Sequence, residues 1–335
     1  MKRDRVKKYL VTGGSGFIGS RFVKRLLEEG HQVIVYDNLS SGQAKNLQAY
    51  KNNSRFRFVR GDVTDKASLK KVMTKDVDTV FHLSAVVGIK NYIADPLKVV
   101  DVNVLGTRNV LEFAAQNGTK VLFTSTSEVF GKNPKVPWAE DDDRVVGSTA
   151  IDRWSYSTSK AMCEHMIFAM HKAKGLRAVI VRFFNIYGPG QPPYFVVSQS
   201  VQKVLQGKQP LLYDSGKQTR CFTFVDDAIE GTLRAARSEK AVGQAFNIGR
   251  SKESTMQEVV ELIIELAGKK GELRWKRLDT SAHYGKAYED IPRRIPDVRK
   301  AKRILNWEAK TSLREGLKKT IDWSRKNAWW MKLKN

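Results

Sequence analysis

An apolar pair, Leu10 and Val11, runs straight into Thr12-Gly13-Gly14-Ser15-Gly16. Phe17, Ile18 and Gly19 then lead into apolar residues at helical spacing: Phe22, Val23, Leu26 and Leu27. A strand, a tight turn and a helix satisfy that order. Glycines 13, 16 and 19 give the spacing GxxGxxG. Such a turn needs residues without Cβ, for its backbone angles and for close approach to a ligand. The N–H groups that open the helix, with the positive end of its dipole, then face a phosphate. His31 to Tyr36 reads as a second strand with Asp37 at its end. An acid about 20 residues after the glycines is placed to hold the hydroxyls of an adenosine ribose. Residues 9–38 are therefore read as the first βαβ unit of a dinucleotide site. The charge of Asp37 would repel a 2′-phosphate, which favours NAD over NADP.

The strand–helix alternation continues. Phe56 to Arg60 alternates like a strand and ends at Gly61-Asp62-Val63, where Asp62 can reach an adenine amino group. Asp62 can equally cap the helix expected over 67–73, a task open to Asp65 as well. Asp78 to Leu83 is a buried strand, and the small pair Ser84-Ala85 after it lets a cofactor pass close to the backbone. His82 lies inside that strand and is read as structural. A long helix is expected from Leu97 to Asn117, carrying Asn103, Gly106 and Thr107 on one side and ended by Gly118. Lys120 to Thr124 is the next strand.

Chemistry-bearing residues begin where that strand ends, at Thr124-Ser-Thr-Ser-Glu-Val-Phe-Gly131. Further on, Tyr156 and Lys160 open a helix that runs to Ala173. Four residues apart, they share one helical face. An ammonium beside a phenol is expected to lower the phenol's pKa, because the cation favours phenolate. Thr126 can hold a substrate hydroxyl by a short hydrogen bond. A lone YxxxK also fits a surface pair; the glycine turn and the hydroxyl-rich strand end give it weight. After the strand Ala178 to Arg182 the elements shorten. Helices are expected over 195–205, 225–236 and 255–267, with a turn and strand over 216–224. The expected division is a dinucleotide-binding domain over 1–190 and a substrate-binding cap over 191–335, with strand 244–248 returning to the main sheet.

Composition excludes several classes. The chain of 335 residues has no apolar run of about 18, so no membrane-spanning helix is expected. MKRDRVKKYL lacks the apolar stretch of a signal peptide. Cys163 and Cys221 are the two cysteines, without metal-ligand spacing, and read as buried free thiols in a reducing, cytoplasmic compartment. No metal site is expected. The net charge of +24 is large enough to suggest nucleic acid or anionic membrane. No nucleic-acid motif is present and the basic residues are dispersed, so no nucleic-acid partner is expected. The competing account is a solvated surface with a pocket for an anionic substrate. The tail from Ile321, with Trp323, Trp329 and Trp330 among basic residues, is expected to pack back on the domain.

GGSGFIG, the acid at 37, GDV at 61–63, the Thr126 region and YSTSK together resemble the extended short-chain dehydrogenase/reductase family, over nearly the whole chain. FFNIYGPG, RCFTFVDDAIEG, FNIG and ILNWEAK are similar to landmarks of its nucleotide-sugar epimerase, dehydratase and decarboxylase branch. The resemblance implies an α/β fold, a Rossmann-type doubly wound parallel sheet with a smaller mixed α/β C-terminal part. It implies NAD, an NDP-sugar oxidised transiently at C4, and a homodimer whose helices near 103–117 and 156–172 pack as a four-helix bundle. The cofactor would lie on Gly13, Gly16, Phe17, Ile18, Gly19, Asp37, Asn38, Asp62, Val63, Leu83 and Ala85, beside Tyr156 and Lys160. Tyr156 and Lys160 would be the catalytic pair and Thr126 their hydroxyl partner. Asn185 and Arg220 would meet the substrate diphosphate and nucleotide.

The subclass rests on fewer residues. Ser127-Glu128 replaces the Asp-Glu pair of many 4,6-dehydratases, removing the acid that protonates the departing C6 hydroxyl. It resembles UDP-glucuronate decarboxylases, as does the segment 283–310, in which Arg294 matches an arginine that lines the sugar pocket and can grip a C6 carboxylate bidentately. The reaction so implied is decarboxylation of UDP-glucuronate to a UDP-pentose, UDP-xylose or its 4-keto form, with Glu128 or Ser127 handling a proton. The Lys that precedes Pro in the decarboxylase pattern is Ile295 here. A 4-epimerase on a UDP-sugar is the alternative, then a 4,6-dehydratase, and outside the enzymes a non-catalytic NAD-binding regulator.

Overall fold

A computed structural model describes residues 5–279 and 289–333. The chain forms two compact units. The first comprises residues 1–129, 155–182 and 232–246, and the second 130–154, 183–231 and 247–335.

The first unit is built on strands β1 (Lys8–Thr12), β2 (Gln32–Asp37), β3 (Phe56–Arg60), β4 (Thr79–His82), β5 (Lys120–Thr126) and β6 (Ala178–Phe183). With the strand Gln244–Ile248 they make one seven-stranded sheet in the order Gln244–Ile248, β6, β5, β4, β1, β2, β3. The expected return of strand 244–248 is thus observed, at the sheet edge beside β6. β1 pairs in parallel with β2, Leu10 opposite Ile34, and with β4, Leu10 opposite Val80. The strand order therefore reverses between β1 and β4, which opens a crevice at their carboxyl ends where such sheets bind ligands. The inner strands are buried on both faces, which explains their near-continuous apolar runs. Helix Phe17–Glu28 buries Phe22, Val23, Leu26 and Leu27, as its spacing predicts.

One expected helix differs. The stretch from Pro96 to Asn117 is helical, but Asp101–Leu105 forms a π-helical turn between Pro96–Val100 and Gly106–Asn117. Single π-turns inside helices commonly mark functional positions, and this one carries the buried Asn103. The helix expected over 67–73 is shorter, Lys66–Lys70, and its cap is Asp65, whose side chain accepts from Ser68 N.

In the second unit, helices Val196–Leu205, Met256–Leu266 and Leu313–Lys326 pack around Val201, Val260, Ile263, Leu317 and Ile321. Thr255 and Glu258 form a capping box that starts the middle helix. The turn and strand expected over 216–224 resolve into two short strands, Thr219–Arg220 and Thr223–Phe224. The tryptophan-rich tail folds back as expected: Trp330 is buried and its Nε1 donates to Gln191 O at 2.8 Å. Both cysteines are buried free thiols. Among the described residues no helix is long and apolar enough to cross a membrane.

Candidate active site

The glycine turn sits at the mouth of the crevice. Gly13 adopts φ +71°, and a Cβ there would lie 2.9 Å from Ser84 N. A Cβ on Gly19 would lie 2.2 Å from Gly13 O, so only glycine lets the helix start this close to the turn. Gly16 N donates to Gly13 O at 3.1 Å, and no acid occupies the first turn of the helix. Phe17 and Ile18, its first two residues, are half-buried. Asp37 is buried, its Oδ2 accepting from Ser15 N at 2.9 Å and its Oδ1 from Leu39 N at 2.8 Å. Each oxygen retains a lone pair for a ribose hydroxyl. Asn38 Nδ2 donates to Asp62 Oδ2 at 2.7 Å, and Thr64 donates to Oδ1. Burial pulls the Asp62 carboxyl upward, but the bonds from Thr64 and Asn38 hold it below its ordinary value. Val63 is buried, while Leu83 and Ala85 are half-buried beyond the end of β4. A glycine cradle at a helix start with two acids at the ends of the neighbouring strands fits an adenine dinucleotide, with no 2′-phosphate beside Asp37.

His82 is structural, as its place in the strand implies. Its Nδ1 meets Thr12 Oγ1 at 2.7 Å and its Nε2 meets Thr107 Oγ1 at 3.0 Å. Burial, with the charge of Lys160, lowers its pKa to about 3.

Thr126, Ser127, Glu128, Tyr156 and Lys160 come together in the first unit. β5 delivers Thr126, and the 3₁₀ turn Ser127–Phe130 follows at once. Thr126 Oγ1 accepts from Glu128 N at 3.2 Å, and Ser157 Oγ donates to Glu128 O at 2.6 Å. The second bond fastens the turn to helix Arg153–Lys174, which carries Tyr156 and Lys160, both buried. The expected phenolate is not what the structure supports. Burial raises the Tyr156 pKa, the Glu128 carboxylate raises it further, and a hydrogen bond with Thr126 only partly opposes them. Lys160, whose Nζ lies 4.4 Å from the centroid of the Phe123 ring, does not offset this. Burial brings Lys160 itself down to about 8, against the upward pull of Cys163 and Glu164.

Several supporting contacts escaped the sequence reading. Tyr92 stacks on Tyr156 with ring centroids 4.7 Å apart. Asn103 donates from Nδ2 to Ser159 Oγ at 3.0 Å, and its Oδ1 accepts from Val86 N at 2.9 Å. Its carbonyl accepts from Cys163 Sγ at 3.1 Å, so the π-turn is tied to the helix of Tyr156 twice. Glu164 forms a buried ion pair with Arg182, Nη2 to Oε2 at 2.6 Å, and accepts from Ser125 Oγ at 2.5 Å. The signal for Glu164 was present: it lies four residues beyond Lys160, on the same helical face.

The second unit holds Asn185, Arg220 and Arg294. Asn185 has φ +42° and its Nδ2 donates to Cys221 O at 3.4 Å, next to Arg220. Strand Arg293–Arg294 pairs in parallel with Thr219–Arg220, Arg294 opposite Arg220. Alternation sends the two neighbouring arginines apart. Arg293 bonds Glu253 through Nε at 3.1 Å and Nη2 at 2.7 Å and is exposed, whereas Arg294 is buried. The residues after Arg294 are anchored, with Trp138 N donating to Ile295 O and Asp297 N to Trp138 O, both at 2.8 Å.

A glycine turn on a reversing parallel sheet, with Tyr156 and Lys160 beside a hydroxyl-rich strand end, defines an extended short-chain dehydrogenase/reductase. More narrowly, the chain belongs to the GDP-mannose 4,6 dehydratase family, whose model matches residues 10–320. It is 39% identical over 322 residues to the UDP-N-acetyl-alpha-D-glucosaminuronate decarboxylase of Bacillus cytotoxicus, covering 95% of this chain and 98% of that one. It is 34% identical to UDP-glucuronic acid decarboxylase 1 of Xenopus tropicalis, over 97% of this chain and 73% of the relative. Its fold superposes on the dTDP-glucose 4,6-dehydratase DesIV of Streptomyces venezuelae, solved with NAD and TYD bound, at TM-score 0.87 and 30% identity, covering 98% and 100% of the two chains.

Proposed function

We propose that this protein is an NAD-dependent decarboxylase of a UDP-uronate, giving a UDP-pentose. The likeness, over 95% and 97% of this chain, to two decarboxylases whose names specify UDP-uronates carries the reading. The geometry of each unit supports it.

When bound, NAD supplies reversible two-electron oxidation at C4 of the sugar. Gly13, Gly16 and Gly19, with the helix start at Phe17 and Ile18, receive its diphosphate. Asp37 accepts from the adenosine ribose, and the Asn38–Asp62 pair meets the adenine, while Val63, Leu83 and Ala85 line its path. Tyr156 Oη, bonded with Thr126, meets the C4 hydroxyl and takes its proton once the phenol has released its own, a loss that burial and the Glu128 charge resist. Lys160, predominantly cationic at pH 7 with a pKa of about 8, supplies positive charge on the same helical face. A 4-keto uronate is a β-keto acid, which loses CO₂ as its bonding electrons pass into the C4 carbonyl. In the second unit Arg294 orients the carboxylate, and Asn185 and Arg220 take the diphosphate and nucleotide. Ser127 and Glu128 return a proton at C5. With serine rather than an acid at 127, the C6 elimination of a 4,6-dehydratase lacks its proton donor.

Exposed apolar side chains on Leu97, Val100, Leu105, Met162 and Phe168 lie along the two helical stretches of the first unit. They support a homodimer through a four-helix bundle, which sedimentation velocity reads directly; a monomer at micromolar concentration would refute it. Two buried free thiols are in keeping with a cytoplasmic setting.

Proton NMR of reactions with UDP-glucuronate and with UDP-N-acetylglucosaminuronate tests the activity. A pentose product with release of CO₂ from either is expected. A C4-epimerised uronate without CO₂ would replace decarboxylation by epimerisation.

A further inference from the structure

Parallel pairing of Arg293–Arg294 with Thr219–Arg220 brings Arg220 and Arg294 side by side on one face. Both are buried. Like charges held side by side away from water repel each other, so such a pair needs an anion. The chain provides one. Arg220 Nη2 donates to Asp290 Oδ1 at 2.7 Å, and Arg294 Nη2 lies 4.0 Å from the same oxygen. Ile291 N donates to that oxygen too, at 2.8 Å. Arg220 is steadied by Thr219 O at 2.8 Å and Pro292 O at 3.3 Å, so it keeps its orientation without Asp290. The charge of Arg153 also reaches Asp290. Two guanidiniums thus converge on one carboxylate, and that carboxylate is a quarter exposed.

We propose that Asp290 is a built-in surrogate for an oxyanion of the ligand: it occupies the Arg220–Arg294 pair in the free enzyme and is exchanged for a phosphate or carboxylate oxygen on binding. The proposal rests on the reading of these arginines as substrate contacts. Asp290 is a positioning residue in this scheme, and it keeps the two cations together at a cost in affinity. Where the arginines are engaged internally nine-tenths of the time, the apparent Kd is raised about tenfold.

Calorimetric titration of the NAD-loaded enzyme with UDP, UDP-glucose and UDP-glucuronate tests this in wild type, Asp290→Asn and Asp290→Glu. Asp290→Asn is expected to tighten binding about tenfold, and Asp290→Glu to stay within about twofold of wild type. Tightening of all three ligands identifies a diphosphate oxygen as the exchanged group; tightening of UDP-glucuronate alone identifies the sugar carboxylate. Unchanged or weaker binding of every ligand to Asp290→Asn overturns the proposal. A crystal structure of the wild-type enzyme with NAD and UDP-glucuronate, or with UDP, gives a second measurement that needs no variant. Asp290 Oδ1 is expected to have left Arg220; retention of the 2.7 Å contact in the complex would overturn the exchange. If UDP-glucuronate fails to bind wild type while Asp290→Asn tightens UDP, the uronate reading falls and the exchange stands.

Discussion

Replacing Glu164 by glutamine perturbs both the stability of the first unit and its chemistry. Glu164 and Arg182 are buried, joined by Nε at 3.0 Å and Nη2 at 2.6 Å, and Ser125 Oγ donates to the same carboxylate. Glutamine keeps the shape but removes the negative charge that faces Arg182 in a buried seam between strands and helix. Removing one member of a buried pair costs about 3–5 kcal/mol. At about 2–4 °C per kcal/mol for a unit of this size, the melting temperature should fall by about 6–20 °C. All seven tryptophans belong to the second unit, so their fluorescence follows that unit while far-UV circular dichroism follows both. Urea unfolding read by both probes locates the loss. A paired change, Glu164→Leu with Arg182→Met, should recover most of it, because an apolar pair avoids the desolvation of two charges. Glu164→Gln within about 1 kcal/mol of wild type would refute the assignment of a buried ion pair.

Lys160 sets a pH limit. Its pKa of about 8 lies below the ordinary lysine value, so between about 8 and about 10.4 the unfolded chain binds more protons than the folded one. Stability contributed by this group therefore rises with pH across that window, whereas activity that needs the ammonium falls as pH climbs through about 8. A kcat/KM profile that stays flat to pH 10 would contradict the role of Lys160. Tyr156→Phe removes the proton carrier and should cost at least about 10²-fold in kcat, with NAD still bound after gel filtration; near-normal turnover would reassign the acid–base.

Much of the first unit was legible because its signals are local. The glycine spacing, the acid at Asp37 and the apolar runs each specify a strand end or a helix face within a few residues. The candidate pair Tyr156 and Lys160 was legible in the same way, since both residues share one helix. What escaped depends on contacts distant in sequence. The π-turn at Asn103 is stabilised by Ser159 and Cys163 on another helix, and periodicity alone reads that stretch as one regular helix. The upward shift of the Tyr156 phenol comes from burial and from Glu128, neither of which its four-residue spacing from Lys160 reveals. Asp290 was invisible as a partner of Arg220 because the two lie 70 residues apart and meet only where the short strand after Asp290 pairs with Thr219–Arg220.

The sheet order also dictates a schedule for synthesis. β6 is complete at Phe183, yet its outer neighbour ends at Ile248. As the chain leaves the ribosome, the hydrogen-bonding edge of β6 stays open while residues 184–243 emerge, much of that stretch belonging to the second unit. An open, apolar edge is a template for pairing with another chain. A nascent chain stalled in that interval would carry most of the nucleotide-binding machinery and an unsealed sheet. Chaperone capture is therefore expected to peak between those lengths and to vanish once the last strand docks.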